Sequence, residues 1–262
     1  MPRWRSSSRA RRVLGIPALV LGSLALHVDG SAAGAEFDVE VQEPFVCTTA
    51  QEGLGQPLVD NQDGIGTPVA ADDSQLDDDG YPTPEATIVG WSRDCEVPTQ
   101  YQYLYRSTGG GWVPVGSPAE VPPGEVQMTE TTDDGTVPFV VRLERGTINR
   151  FMYSAAMLVP GGEDDPSTPD TSLWNRRLVF SFQGGVAIGH TQGSWSRSAA
   201  LFEPALAQGY AVINSTGTRT NTHYNLRRGG QTAVMTKAHF AATYGEPDYT
   251  VGVGGSGGAI QQ

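Results

Sequence analysis

Lysine is almost absent: Lys237 is the only one in 262 residues. Charged side chains of all kinds make up only 18% of the chain, with 29 acids against 17 bases and a formal net charge of −12. A surface of that composition repels phosphates, so a general nucleic-acid binder is excluded. Cysteine is scarce too. Cys47 and Cys95 are the only two, and neither has a histidine near it in sequence. That argues against a zinc site and against a Cys–His nucleophile, and no metal or organic cofactor is implied. No apolar run is long enough for a membrane span, which needs about 20 residues. What is abundant is glycine (33) and proline (18), which points to many turns and short strands. With 38% hydrophobic residues the chain can still build a sizeable core, so wholesale disorder is excluded.

The first 35 residues read as a leader. Arg3, Arg5, Arg9, Arg11 and Arg12 precede an apolar run from Val13 to about Leu26, and small residues follow up to an Ala33-x-Ala35 site. This is the layout of a secretory signal peptide, with an uncleaved N-terminal anchor as the alternative. The leader's five arginines and one aspartate contribute +4, which leaves −16 for the rest. A surface so acidic suits a secreted, extracellular protein that resists self-association. Outside the cell, the even cysteine count reads as a Cys47–Cys95 disulfide, against the alternative of two buried thiols.

Residues 36–135 form a β-rich N-terminal region of short strands and loops. Ala86–Trp91 and Thr99–Tyr105 are strand-like, the second alternating with period two. Asp72, Asp73, Asp77, Asp78 and Asp79 lack the spacing and closing Glu of a calcium loop and read as a solvated loop. Residues 136–262 form the second region. Phe139–Arg145 and Phe151–Val159 read as a strand pair turned at Gly146, followed by a polar loop over 160–169. Leu178–Phe182 is a buried strand, and Tyr210–Ile213 and Tyr249–Val253 are a second and a third strand. Between them lie a helix over 196–208, kinked or broken at Pro204, and a helix over 231–244. Its apolar side is Val234, Met235, Ala238, Ala241 and Ala242, and Gly245 and Pro247 stop it. Strand and helix in alternation imply parallel βαβ units, hence an α/β fold with a parallel sheet.

Two features carry chemistry. Gly254-Gly255-Ser256-Gly257-Gly258 is a G-x-S-x-G directly after an apolar strand, and Ala259–Gln262 can open a helix. That is the context of a nucleophile elbow, in which small neighbours let strand and helix approach around a serine in an unfavourable backbone conformation. A glycine-rich turn holding a structural serine is the plainer alternative. The second feature is Gly184-Gly185, just after the first parallel strand. Acyl transfer needs two backbone N–H donors aimed at the developing oxyanion. Gly257 follows the serine and supplies one, and Gly184 or Gly185 occupies the place of the other. His190, His223 and His239 all precede the serine. His239 lies inside the second helix and reads as structural or solvent-facing, while His190 and His223 sit on loops that could line a site.

From about Trp174 to Gln262 the chain resembles the N-terminal half of an α/β hydrolase, and most resembles secreted tannase/feruloyl-esterase-like hydrolases and a bacterial relative of them. The likeness extends to the segments around Cys47 (Pro44–Thr49) and Cys95 (Gly90–Cys95) and to the run Arg142–Arg150. It implies an exported serine esterase acting on a small-molecule or polymeric carboxylic ester, with Ser256 as nucleophile. It departs at Gly255, where these relatives often carry a cysteine that bridges near the triad. It also departs after the elbow. In α/β hydrolases the acid and the histidine follow the serine, and only Ala259–Gln262 remain after Gly258. The resemblance therefore implies an N-terminal fragment of such a hydrolase, inactive alone, with base and acid beyond residue 262. The rival from another class is an extracellular binding or structural protein on a hydrolase-like scaffold. Beyond the export signal, no membrane partner is implied.

Overall fold

The computed structural model describes residues 47–49, 54, 67–71, 73–75, 82–92, 95–162, 164–187 and 191–262. The leader, Asp72, Asp77, Asp78, Asp79 and His190 lie outside the described residues. The strands are β1 (Thr67–Ala70), β2 (Ile88–Ser92), β3 (Gln100–Arg106), β4 (Trp112–Val115), β5 (Met128–Thr131), β6 (Gly135–Pro138), β7 (Val140–Ile148), β8 (Phe151–Leu158), β9 (Arg177–Phe182), β10 (Ala211–Ser215) and β11 (Tyr249–Gly254). The helices are α1 (Arg197–Ala200), α2 (Glu203–Leu206), α3 (Leu226–Tyr244) and α4 (Gly257–Gln261).

Seven strands form one sheet in the order β11-β9-β10-β8-β7-β3-β4, and β1–β2 and β5–β6 are separate antiparallel pairs. β9 pairs in parallel with both β10 and β11. Every other neighbour in the sheet runs antiparallel. The protein is thus mixed α/β with a mostly antiparallel sheet, which corrects the parallel sheet expected from the strand–helix alternation. The reason lies before the alternating segment. The β7–β8 hairpin continues the sheet beyond β10, and β3 and β4, from the first region, extend it further.

The hairpin turns at Asn149-Arg150, not at Gly146. Both turn residues have positive φ, 53° and 71°, a conformation whose twist matches that of the flanking strands. Gly146 instead pairs with Tyr153 inside the ladder. A Cβ at Gly146 would lie 2.9 Å from Tyr153 Cε1, so the glycine makes room for the ring.

Helices cover both faces. On one, Ala200, Leu201, Ala205 and Leu206 of the α1–α2 segment pack on Leu104, Val141, Leu143, Ala156, Leu158, Val179 and Val212. On the other, Phe240 and Tyr244 of α3 pack on Ala155, Met157, Leu178, Phe180, Ala211 and Ile213. The helix expected over 196–208 is broken, with Pro204 in the first turn of α2, where its missing N–H costs nothing. α3 starts earlier than expected, capped by the Asn225 side chain on the Arg228 N–H.

The buried side of α3 also differs from the expected one. It is Thr232, Thr236, Phe240 and Tyr244, while Val234 is 70% exposed and Met235 40%. Small side chains let this helix approach closely: a Cβ on Gly217 would lie 2.9 Å from Thr232 Cγ2. Each buried threonine hydroxyl bonds a carbonyl four residues back, Thr232 to Arg228 and Thr236 to Thr232, so burial leaves no donor unpaired. At the sheet edge, β11 exposes Val251 and Val253.

A charged network lies under α3. Arg142 and Glu144 on β7 are fully buried. Glu144 accepts from Tyr153 Oη at 2.6 Å and His239 Nε2 at 2.5 Å on one oxygen, and from Tyr244 Oη on the other. Arg142 pairs with Asp164 at 3.2 Å and donates to Pro166 O at 2.7 Å, so the loop after β8 is pinned to the sheet. Burial alone would raise the Glu144 pKa; the hydrogen bonds from His239, Tyr153 and Tyr244 outweigh it and hold the carboxyl below its ordinary 4.5. The same burial, with the Glu144 charge, raises the Tyr153 and Tyr244 hydroxyls far above 10.

A group with a depressed folded pKa stabilises fully above its unfolded pKa and loses that contribution as pH falls through the folded value. Stability should therefore decline as the pH drops below about 4.5. Glu144→Gln replaces one acceptor oxygen with a donor facing a tyrosine hydroxyl. It should cost about 2–4 kcal/mol in urea unfolding near neutral pH and flatten the acid dependence. An unchanged midpoint would show that the network carries no net stability.

Candidate active site

The connection from β9 to β10 runs through α1 and α2 on one face, and the helix that follows β11 lies on the other. There Gln262 reaches Gly252, whose β9 partner is Phe180, and α4 meets the start of α3. Chain therefore leaves the carboxyl ends of the adjacent strands β9 and β11 toward opposite faces. The loop after β9 and the turn after β11 both lie at this carboxyl edge of the sheet.

The turn after β11 is the expected strand–serine–helix. Ser256 has φ 56° and ψ −123°, a conformation rarely adopted by a residue with a side chain. It is exposed, and its hydroxyl makes no capping hydrogen bond to α4. The turn is closed by Gly258 N–H to Gly255 O and Ala259 N–H to Ser256 O, both 3.0 Å.

The flanking glycines are not equivalent. A Cβ on Gly258 would lie 2.6 Å from Phe182 O, and one on Gly254 2.8 Å from the same oxygen. A Cβ on Gly257 would overlap Gly185 O and Thr220 Oγ1. Only Gly255 faces open space. Elbow and β9 loop thus meet backbone to backbone. Gly184 lies against the serine: its Cβ position is 3.0 Å from Gly255 O and 3.6 Å from Ser256 Cβ. Gly185, at φ 105°, packs on the Asn221 side chain. Ser256, Gly257, Gly184 and Gly185 are brought together.

His223 and His239 are not brought there. His223 is buried, stacked on Phe151 at 4.8 Å. Its Nδ1 accepts from the Asn225 N–H at 3.2 Å and its Nε2 donates to Gly217 O at 2.8 Å, so both ring nitrogens are bound to backbone. His239 is held by Glu144 and Tyr153. Among the described residues no cluster of His, Cys, Asp and Glu could hold a metal ion, and no helix is long and apolar enough to cross a membrane.

Cys47 and Cys95 form a disulfide with Cα atoms 5.3 Å apart. The sequence did not single out what supports it. The buried Gln192 accepts from the N–H groups of Thr48 and Thr49, both at 2.9 Å, and donates to Cys95 O at 2.7 Å and Arg150 O at 2.9 Å. One amide ties the disulfide segment to the β7–β8 turn and to the chain entering α1. Also missed was the loop after β10, where Thr216, Thr218, Thr220 and Thr222 are all buried. Their spacing of two was the available signal. Thr218 bonds Ser215 O at 2.8 Å, Thr216 bonds Gln192 O at 2.5 Å, and Thr220 bonds Gly185 O.

These contacts predict different tolerances for one substitution. Gly255→Ala should change stability by less than about 0.5 kcal/mol, because the added methyl meets nothing. Gly257→Ala and Gly258→Ala should each cost more than about 2 kcal/mol, because backbone must move. Denaturant unfolding of the three variants checks this; equal effects would contradict the close approach.

No curated protein and no solved structure matches the chain. A family described as tannase-like and of unknown function (DUF6351) matches it over residues 32–262. That match spans the disulfide, the β9 glycine loop and the serine turn, and the chain belongs to this tannase-like family.

Proposed function

We propose that the protein is an exported serine hydrolase of α/β-hydrolase type, an esterase acting on a carboxylic ester. The observation that carries this reading is the conformation of Ser256. A non-glycine residue at φ 56° and ψ −123° is strained, and strain of this kind persists where the surroundings enforce it for a purpose. Here it turns an exposed hydroxyl out at the end of a parallel strand, beside a glycine loop. A tannase-like family is consistent with an esterase-type reaction. Export is supported by the leader and by the disulfide.

In this reading the Ser256 oxygen adds to the ester carbonyl carbon while its proton passes to a base. The carbonyl oxygen becomes an oxyanion, held by the Gly257 N–H and by an N–H from Gly184 or Gly185. Collapse breaks the bond to the alcohol, which leaves with the proton from the base. Water then repeats the sequence on the acyl-serine and releases the acid. The base is neither His223, whose two ring nitrogens both bond backbone, nor His239, whose Nε2 is held by Glu144 and Tyr153 away from the serine turn.

The test is labelling with a fluorophosphonate probe, using protein expressed from the complete gene. Wild type should form a covalent adduct at Ser256. Ser256→Ala should abolish it and lower p-nitrophenyl acetate turnover by at least about 10³-fold. Labelling that survives the substitution would remove Ser256 as nucleophile.

A further inference from the structure

We propose that Thr220 is a positioning residue for this site: its hydroxyl fixes the two backbones that supply the oxyanion donors. The inference rests on the serine-hydrolase reading and names a residue outside the serine turn and the glycine loop.

Thr220 follows β10 and is fully buried. It holds the loop after β9 at two points. Its hydroxyl donates to Gly185 O, and its own carbonyl accepts from the Ala187 N–H at 3.2 Å. The loop needs such ties. It carries two adjacent glycines, one at φ 105°, and an isolated glycine pair would sample many peptide orientations. A hydroxyl bonded to Gly185 O fixes the plane of the Gly185–Val186 peptide, next in the chain to the candidate donors, and so restricts the rotation of Gly185 itself.

The same oxygen also faces the elbow. A Cβ on Gly257 would overlap both Gly185 O and Thr220 Oγ1, so the elbow backbone approaches both with no room for a side chain. One hydroxyl therefore contacts both backbones and sets their separation. Thr220 is itself held rigidly. The Ser215 side chain caps the turn at 216–218, and the Thr218 hydroxyl bonds Ser215 O at 2.8 Å. Further turns close from Arg219 to Thr216 and from Thr222 to Arg219.

A group that orients oxyanion donors acts on the transition state, so its loss lowers kcat and leaves KM in place. Thr220→Val keeps the shape and removes the donor, and Thr220→Ser keeps the donor and removes a methyl. Both are compared with wild type in p-nitrophenyl acetate hydrolysis, per Ser256 titrated to completion with fluorophosphonate. Thr220→Val should lower kcat by about 10- to 100-fold with KM within about 3-fold. Thr220→Ser should stay within about 3-fold of wild type in both, and amide exchange at Gly185–Ala187 and Gly257 should quicken in the valine variant alone. Should the valine variant not fold, Thr220→Ala is read in the same way.

Equal kcat for wild type and Thr220→Val would overturn the inference, as would an equal fall in Thr220→Val and Thr220→Ser or a change confined to KM. All three leave Ser256 as nucleophile. A wild-type protein with no Ser256-dependent labelling or turnover would overturn the serine-hydrolase reading, and this inference with it.

Discussion

The carboxyl edge of the sheet depends on two stretches of backbone meeting with no side chain between them. Phe182 O at the end of β9 lies where a Cβ on Gly254 or Gly258 would need space, and Gly185 O where one on Gly257 would. This contact makes the turn after β11 tight, and a tight turn forces Ser256 to φ 56°. The strain on one residue is thus set by packing against a neighbouring strand. It needs a rigid β9 loop on the far side of the contact, which is why the buried threonines after β10 matter. They convert a flexible glycine pair into a fixed surface.

Deeper in the molecule a second constraint holds the scaffold. Arg142 and Glu144 sit on a strand whose two faces are both covered, so each must find partners inside. Glu144 takes three donors from β8 and α3, and Arg142 takes Asp164 and Pro166 from the loop after β8. Breaking such a set leaves a buried charge unpaired, which is costly even where the intact set adds little net stability. The network joins α3 to the antiparallel half of the sheet, while Phe240 and Tyr244 join it to the parallel half. The helix thereby fixes β10 and the threonine loop that follows it.

Much of this was legible in the sequence, for physical reasons that differ by element. The strands β8, β9 and β10 are apolar and short, and their type is clear from composition. The serine turn was legible because the glycine-flanked serine follows an apolar strand directly and precedes residues that can open a helix. The β7–β8 turn was misread because Gly146 looks like a turn residue, whereas the glycine is needed inside the ladder to clear Tyr153, and Asn149-Arg150 adopt positive φ instead. The buried face of α3 was misread because threonine counts as polar. Its hydroxyl bonds its own helix, which lets Thr232 and Thr236 face the core and leaves Val234 outside. The sheet's antiparallel majority was hidden because β3 and β4 are far in sequence from the strand–helix alternation. Gln192 was invisible, since nothing local marks a glutamine that serves four distant backbone groups.

The central claim is that the strained serine faces two backbone donors held at fixed separation. A crystal structure of the protein after reaction with a fluorophosphonate tests it most directly, because the bound phosphonyl group mimics the tetrahedral intermediate. The account predicts phosphorus bonded to Ser256 Oγ, with one phosphonyl oxygen about 2.7–3.1 Å from the Gly257 N and from the N of Gly184 or Gly185. A phosphonyl oxygen turned to solvent, with neither amide in reach, would contradict it.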